Sequence, residues 1–462
     1  MQLRNGADGE MPAPVRSETG SYGRSAAGLT VALGVGGVLT YVFFILASRS
    51  LGEDQYGEIV VLWSVVFIVA STLYRPIEQL LARTLAERDQ AGAPTGDALR
   101  TAGWIQLGVC LATLVVLLAV KGPLEERLFG TDPNLYWAML VALAGFALAY
   151  FARGYLAGKG RFSIYAALLI SEVVGRLVFA VLVAIGILDG ATPIAIGIAV
   201  APFCGLLMIP LMARRYPSVP ATGELPGGAD LTLGSGGAFA GAVLLMMLSE
   251  QVLVSSGALF VRAAEGAAAA GFMFNILLVA RAPLVLFQAV AASLLPHLTR
   301  QRARADREGE DAFRDSLHKT MWLIAGFATA TTLGVLAVGP EVMQLAFGDN
   351  FDYDRLGLAI VAVGMGFYLV AASLNQAALA QGQAHRAASR WILCAALFVV
   401  INLVAAGDPF RAVEVGYAAC SALLALLLYA IYRRPEPRPE DRVAPGSAEE
   451  LQARLATSDE VA

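Results

Sequence analysis

Twelve times along this chain a run of about twenty residues passes with almost no charge. That length of helix crosses the ~30 Å of hydrocarbon in a bilayer. The predicted spans are 27–48, 57–82, 102–120, 135–152, 163–188, 193–213, 233–261, 268–298, 320–338, 356–380, 388–406 and 412–432. The chain is 57% hydrophobic and 15% charged, with a mean hydropathy of +0.64. A soluble chain is nearer ~45–50% apolar and ~25% charged. The fold class expected is all-α integral membrane protein, with about twelve transmembrane helices in two parallel six-helix bundles around a central cavity.

The connecting segments alternate in basic residues. With both termini inside, the inner segments, with Arg390 at the edge of the eleventh span, carry 24 of the 33 Lys and Arg and the outer loops carry six. That bias is the positive-inside pattern, so both ends are expected in the cytoplasm of a plasma-membrane protein. The longest inner loops are Arg83–Thr101, Arg214–Thr232 and Thr299–Lys319, and the longest outer loop is Gly339–Arg355. None approaches the ~50 residues that a folded domain needs. The division expected is a disordered N-terminal tail 1–26, a first bundle 27–213, a cytoplasmic linker 214–232, a second bundle 233–432 and a disordered tail 433–462.

The four cysteines, Cys110, Cys204, Cys394 and Cys420, lie inside apolar runs without metal-ligand spacing. They read as small buried side chains. The three histidines are scattered. No cofactor or metal is expected, and nucleic acid has no basic patch to bind.

Landmarks recur in order between the halves. Gly57 and Gly271 each open a span, 214 positions apart, and Leu80-Leu81 matches Leu294-Leu295 at the same separation. The outer loop Gly122-Pro123…Phe129-Gly130 matches Gly339-Pro340…Phe347-Gly348, and Leu156-Ala157-Gly158 has a looser partner in Leu379-Ala380-Gln381-Gly382. Six spans per half give both halves the same orientation, so the repeat is parallel about an axis along the membrane normal, with a cavity between halves.

Away from the span ends, the ionisable groups that need explaining are six: Arg75, Glu78, Glu172, Arg176, Glu250 and Arg281. Each costs about 2.5–3.5 kcal/mol at the bilayer centre, so none can face lipid unpaired. Glu172 and Arg176, at i, i+4, can neutralise each other, and so can Arg75 and Glu78 at i, i+3. Arg281 has no acid within a turn; it needs Glu250 of the adjacent span or a ligand. A guanidinium binds phosphate oxygens in pairs and keeps its charge when desolvated.

Several short motifs carry a resemblance. Ser50-Leu51-Gly52…Tyr56-Gly57 follows the first span, and Arg153-Gly154-Tyr155-Leu156…Gly158…Gly160-Arg161-Phe162 follows the fourth. Gly271…Arg281…Pro283…Leu295-Pro296 runs through the eighth span, and Phe347-Gly348 follows the ninth. In this order they resemble the multidrug/oligosaccharidyl-lipid/polysaccharide flippase superfamily, most of all its O-antigen and exopolysaccharide (Wzx-like) branch. The resemblance covers roughly residues 27–432. It implies a flippase moving an undecaprenyl-diphosphate-linked oligosaccharide from the inner to the outer leaflet by alternating access, alongside glycan-assembly machinery. It would put Arg281, then Arg176 and Arg75, on the diphosphate. Glu172, Glu250 and Glu78 would serve charge pairing or coupling to H+ or Na+. The chain departs from the peptidoglycan-precursor flippases, which have fourteen helices and a basic residue in the first. It departs from the drug-extruding branch as well, which uses acids in the first helix where Ala27–Ser48 has none.

The alternative is a cation-coupled exporter of drugs or metabolites, in which Glu250 and Glu172 would matter more than the arginines. A membrane glycan polymerase or glycosyltransferase would need a sizeable loop bearing catalytic acids. The acids of Glu341–Asp354 sit in a segment too short for that, so no enzyme activity is expected.

Overall fold

The computed structural model describes residues 18–130, 132–213, 235–282, 310–348, 350–351, 353–380, 383–405 and 407–433. Among them there is no strand. In the first half run α1 (Glu18–Ser50), α2 (Glu53–Val69), α3 (Arg75–Gln90), α4 (Gly96–Ala119), α5 (Lys121–Phe129), α6 (Pro133–Gly158), α7 (Phe162–Ala184) and α8 (Ala191–Ala213). The second half has α9 (Ser235–Ser255), α10 (Gly257–Glu265), α11 (Ala267–Ala282), α12 (Glu310–Phe347), α13 (Arg355–Ala380), α14 (Ala384–Val404) and α15 (Pro409–Arg433).

Ten helices are long and apolar enough to span a membrane, or eleven if the bent pair α9–α10 counts as one span. The shorter apolar α11 reaches the last described residue before 283. Each of the twelve predicted spans therefore coincides with a helix over its described part. The expected linker 214–232 and most of the two expected tails lie outside the described residues.

Boundaries differ where polar residues continue a helix past the membrane edge. α1 starts at Glu18, inside the expected tail. The second span runs unbroken as Glu53–Gln90, with a π-helical turn at Ala70–Tyr74 joining α2 to α3. α12 continues to Phe347 through what was expected as outer loop, carrying Pro340 in its interior. Proline has no N–H for the carbonyl four residues back. The Arg355 guanidinium donates to that carbonyl, Leu336 O, at 2.9 Å and to Ala337 O at 2.6 Å. The seventh span is broken at Ser256 by a 51° bend.

Contacts fall into two sets. α6 packs on α3, α4 and α8, and α7 on α1 and α8; α13 packs on α12 and α15, and α14 on α9 and α15. α6 and α13 are largely enclosed, whereas α4 and α12 leave Leu111, Val115, Leu333 and Leu345 exposed, as lipid-facing helices do.

Between the halves, α2 meets α9 and α10, the π turn meets α9, and α1 meets α12. At the end of the molecule bearing the α5–α6 and α12–α13 loops, the repeat-related glycines touch. A Cβ on Gly271 would lie 3.3 Å from the Cα of Gly57 and 2.9 Å from the Tyr56 ring. A Cβ on Gly57 would lie 1.8 Å from Ala267 O. Residues near a two-fold axis meet their own equivalents, so the axis of the repeat passes between these glycines.

Two arginines repeat the lesson. Arg49 Nε donates to Ala346 O at 2.8 Å, and its Nη2 donates to Leu345 O. Arg262 Nε donates to Leu128 O at 3.2 Å. Since Phe129-Gly130 and Phe347-Gly348 correspond in the repeat, Leu128 and Ala346 are equivalent positions. Each half thus reaches across to cap the same helix end in the other, where unpaired carbonyls favour a cation. Gly130 (φ 62°) and Gly348 (φ 112°) both follow those ends in backbone conformations that L side chains rarely adopt.

Candidate functional site

The intramembrane charges form two groups. In the first half, Arg153 on α6 and Glu172 on α7 make an ion pair, each side chain 8% exposed. Arg153 also lies over the Tyr150 ring, 4.6 Å from guanidinium carbon to centroid. Glu78 accepts a hydrogen bond from the Tyr165 hydroxyl at 2.6 Å.

The partners within single helices that the spacing offered are not the bonded ones. Glu172 is bonded to Arg153 and not to Arg176, because α6 brings its guanidinium to the face of α7 that carries the acid. Glu78 bonds Tyr165, while Arg75 is exposed and interacts with Glu78 only electrostatically.

Arg153 escaped the sequence reading because it stands one residue past the predicted end of the fourth span. The helix in fact continues to Gly158, and Arg153 is 6% exposed. A signal was present: no proline stands between Tyr150 and Gly158. The glycines of that motif are packing positions. A Cβ at Gly154 would lie 2.8 Å from Glu78 O, and one at Gly158 would lie 2.7 Å from the Leu85 Cβ.

Arg176 is buried among α1, α2 and α7. Its Nη2 donates to Thr40 Oγ1 at 2.6 Å, and its guanidinium lies 4.5 Å from the Trp63 ring centroid and 5.7 Å from that of Phe43. Aromatic faces attract a desolvated guanidinium. Its Nε has no hydrogen-bond partner among the described residues.

In the second half, Glu250 on α9 accepts a hydrogen bond of 2.5 Å from the Tyr368 hydroxyl on α13. Arg281, near the end of α11, forms no ion pair with it among the described residues, and its buried Nε has no hydrogen-bond partner there. Three tyrosines stand near Arg281: Tyr417 of α15, Tyr41 of α1 and Tyr368. Tyr41 donates to Leu278 O on the same helix as Arg281, at 3.1 Å. Successive residues of α1 therefore serve two arginines, Thr40 facing Arg176 and Tyr41 facing Arg281. Arg75 is not part of this grouping. The tyrosines were not singled out in the sequence, where nothing marks them from the other aromatics of the spans.

The three hydroxyls already donate to Leu278 O, Glu250 and Met365 Sδ, so what the grouping offers is the positive charge and the N–H donors of the Arg281 guanidinium. That donor set suits an anion with several oxygens.

No profile of a known protein family matches the chain. An uncharacterised protein of Mycobacterium tuberculosis is 27% identical over 397 residues, 80% of this chain and 86% of that protein. The inward-facing form of a multidrug resistance MATE family transporter of the MOP superfamily superposes with a TM-score of 0.69 at 12% identity, over 88% of this chain and 97% of that one. The chain has the MATE transporter fold. A MOP superfamily transporter of Pyrococcus furiosus, described by the reverse polarity of its binding pocket, shares this MATE fold at a TM-score of 0.63 and 12% identity. That match covers 89% of this chain and 95% of that one. The apolar spans and this fold make the chain a multi-pass membrane protein.

Proposed function

We propose that the protein is a flippase that moves a lipid-diphosphate-linked oligosaccharide from the inner to the outer leaflet of a bacterial plasma membrane. Both termini are cytoplasmic, the halves work by alternating access, and the cargo serves cell-surface polysaccharide assembly. The observation that carries this reading is Arg281, a half-buried cation whose buried Nε has no hydrogen-bond partner and which is bonded to no carboxylate among the described residues, with Tyr41, Tyr368 and Tyr417 nearby. A charge kept in a membrane protein without a partner is kept for a ligand. The diphosphate supplies the missing negative charge, and the guanidinium supplies donors to its oxygens. Arg176, on the other side of α1, lends a second positive charge, while Arg75, exposed and off this grouping, does not contact the cargo.

Replacing Arg281 by Ala abolishes glycan export while the protein remains inserted at its usual level, and Arg281→Lys retains part of it. Unchanged export in Arg281→Ala contradicts the reading.

A cation-coupled exporter is the second reading. Glu250, half-buried beside Tyr368, favours it. Under it Glu250→Gln is the damaging change and Arg281→Ala the mild one. Against it, Gly28–Ser50 of α1 contains no acid, and Glu172 is already neutralised by Arg153.

A further inference from the structure

The seam between the halves points to a device that is independent of the cargo. We infer that Arg49 and Arg262, with Tyr56, Gly57, Gly271 and Asn275 between them, are the outer gate of this protein, closed in this structure. The seam lies at the face carrying the α5–α6 and α12–α13 loops, which the Lys and Arg bias assigns to the outside.

Three features make it a gate and not a permanent weld. Its two arms are reciprocal and few: Arg49 holds Leu345 O and Ala346 O across the seam, and Arg262 holds Leu128 O in return. Arg49 is exposed, so its bonds exchange readily with water. The seam beneath is flush because glycines stand on both sides of it, with the backbone of Ala267 seated against Gly57. At the glycines such a surface separates and reseats backbone against backbone.

The bond at its centre joins Tyr56 Oη to Asn275 Oδ1 at 2.5 Å, yet the buried Asn275 amide nitrogen has no partner among the described residues. A buried donor left unpaired disfavours the closed state, and opening to water relieves it. Below the bond, Phe44 packs on Phe274 with ring centroids 4.7 Å apart. One turn deeper on the same face of α11 lies Leu278, 8% exposed.

The test places a single reporter, Leu278→Cys, in the full-length chain freed of its four native cysteines. Labelling by a membrane-impermeant maleimide is followed in intact cells. Arg49→Ala/Arg262→Ala is expected to label about tenfold faster than the parent, because the closed population falls when both arms are lost. Arg355→Ala, whose bonds to Leu336 and Ala337 stay within the second half, is expected to label at the parent rate. A double arginine variant that is inserted normally and labels like its parent overturns the inference.

If that variant does not insert, Tyr56→Phe/Asn275→Leu carries the test. It replaces the half-satisfied pair by an apolar contact, so it is expected to close more firmly and label more slowly. Unchanged or faster labelling there overturns the inference equally. Loss of the flippase reading leaves these rates untouched, since no cargo enters the measurement.

Discussion

The carboxylate of Glu172 is held by Arg153 of the neighbouring helix, and not by Arg176 one turn along its own. Both partners are 8% exposed, so neither charge has water to fall back on. Removing one leaves the other stranded at membrane depth. Arg153→Met is therefore expected to destabilise the protein by about 3–5 kcal/mol. Arg153→Met/Glu172→Leu, which removes both charges, is expected to recover most of that loss. Thermal unfolding in detergent of the two single variants and the double variant measures the difference.

The same pair shows what could be read from the chain alone. Length and hydropathy mark where helices cross, because an apolar run of twenty residues has few alternatives. Which helix faces which is another matter. Spacing within one helix offers Glu172 the partner Arg176 and Glu78 the partner Arg75, and the neighbouring helices supply Arg153 and Tyr165 instead. The repeat was legible in Gly57 and Gly271 because close backbone approach tolerates no side chain. The arms Arg49 and Arg262 were not, because a guanidinium that caps a distant carbonyl leaves no periodic trace. The π turn just before Pro76 and the bend at Ser255-Ser256-Gly257 did have local signals, since prolines and Gly/Ser pairs are where helices depart from regularity.

Gly154 belongs to the motif that follows the fourth span, and its role is to let α3 lie against α6. Gly154→Ala places a methyl 2.8 Å from the Glu78 carbonyl oxygen, which is backbone and cannot swing away. The expected cost is about 1–3 kcal/mol of stability, as for other overpacked contacts. Thermal unfolding of the purified variant checks it. Gly108→Ala, on α4 with open space around its Cβ position, is the control and is expected to be neutral or slightly stabilising.

Arg176 rests on Trp63 at 4.5 Å. A double-mutant cycle with Trp63→Leu and Arg176→Met is expected to give a coupling of about 1–2 kcal/mol in thermal or denaturant unfolding. A coupling near zero would mean that the ring only fills space beside the guanidinium.

Arg281 carries the central claim, and a half-buried guanidinium with no carboxylate among the described residues sets a sign. A cation kept for a ligand burdens the empty protein, so its removal stabilises the fold while erasing the binding. The most direct measurement is the melting temperature of the purified protein with and without a polyprenyl diphosphate, for the parent and for Arg281→Met. The parent is expected to rise with ligand concentration as binding favours the folded state. The variant alone is expected to melt no lower than the parent and to ignore the ligand. A variant that melts several degrees lower, or that gains as much from the diphosphate as the parent does, would contradict the account.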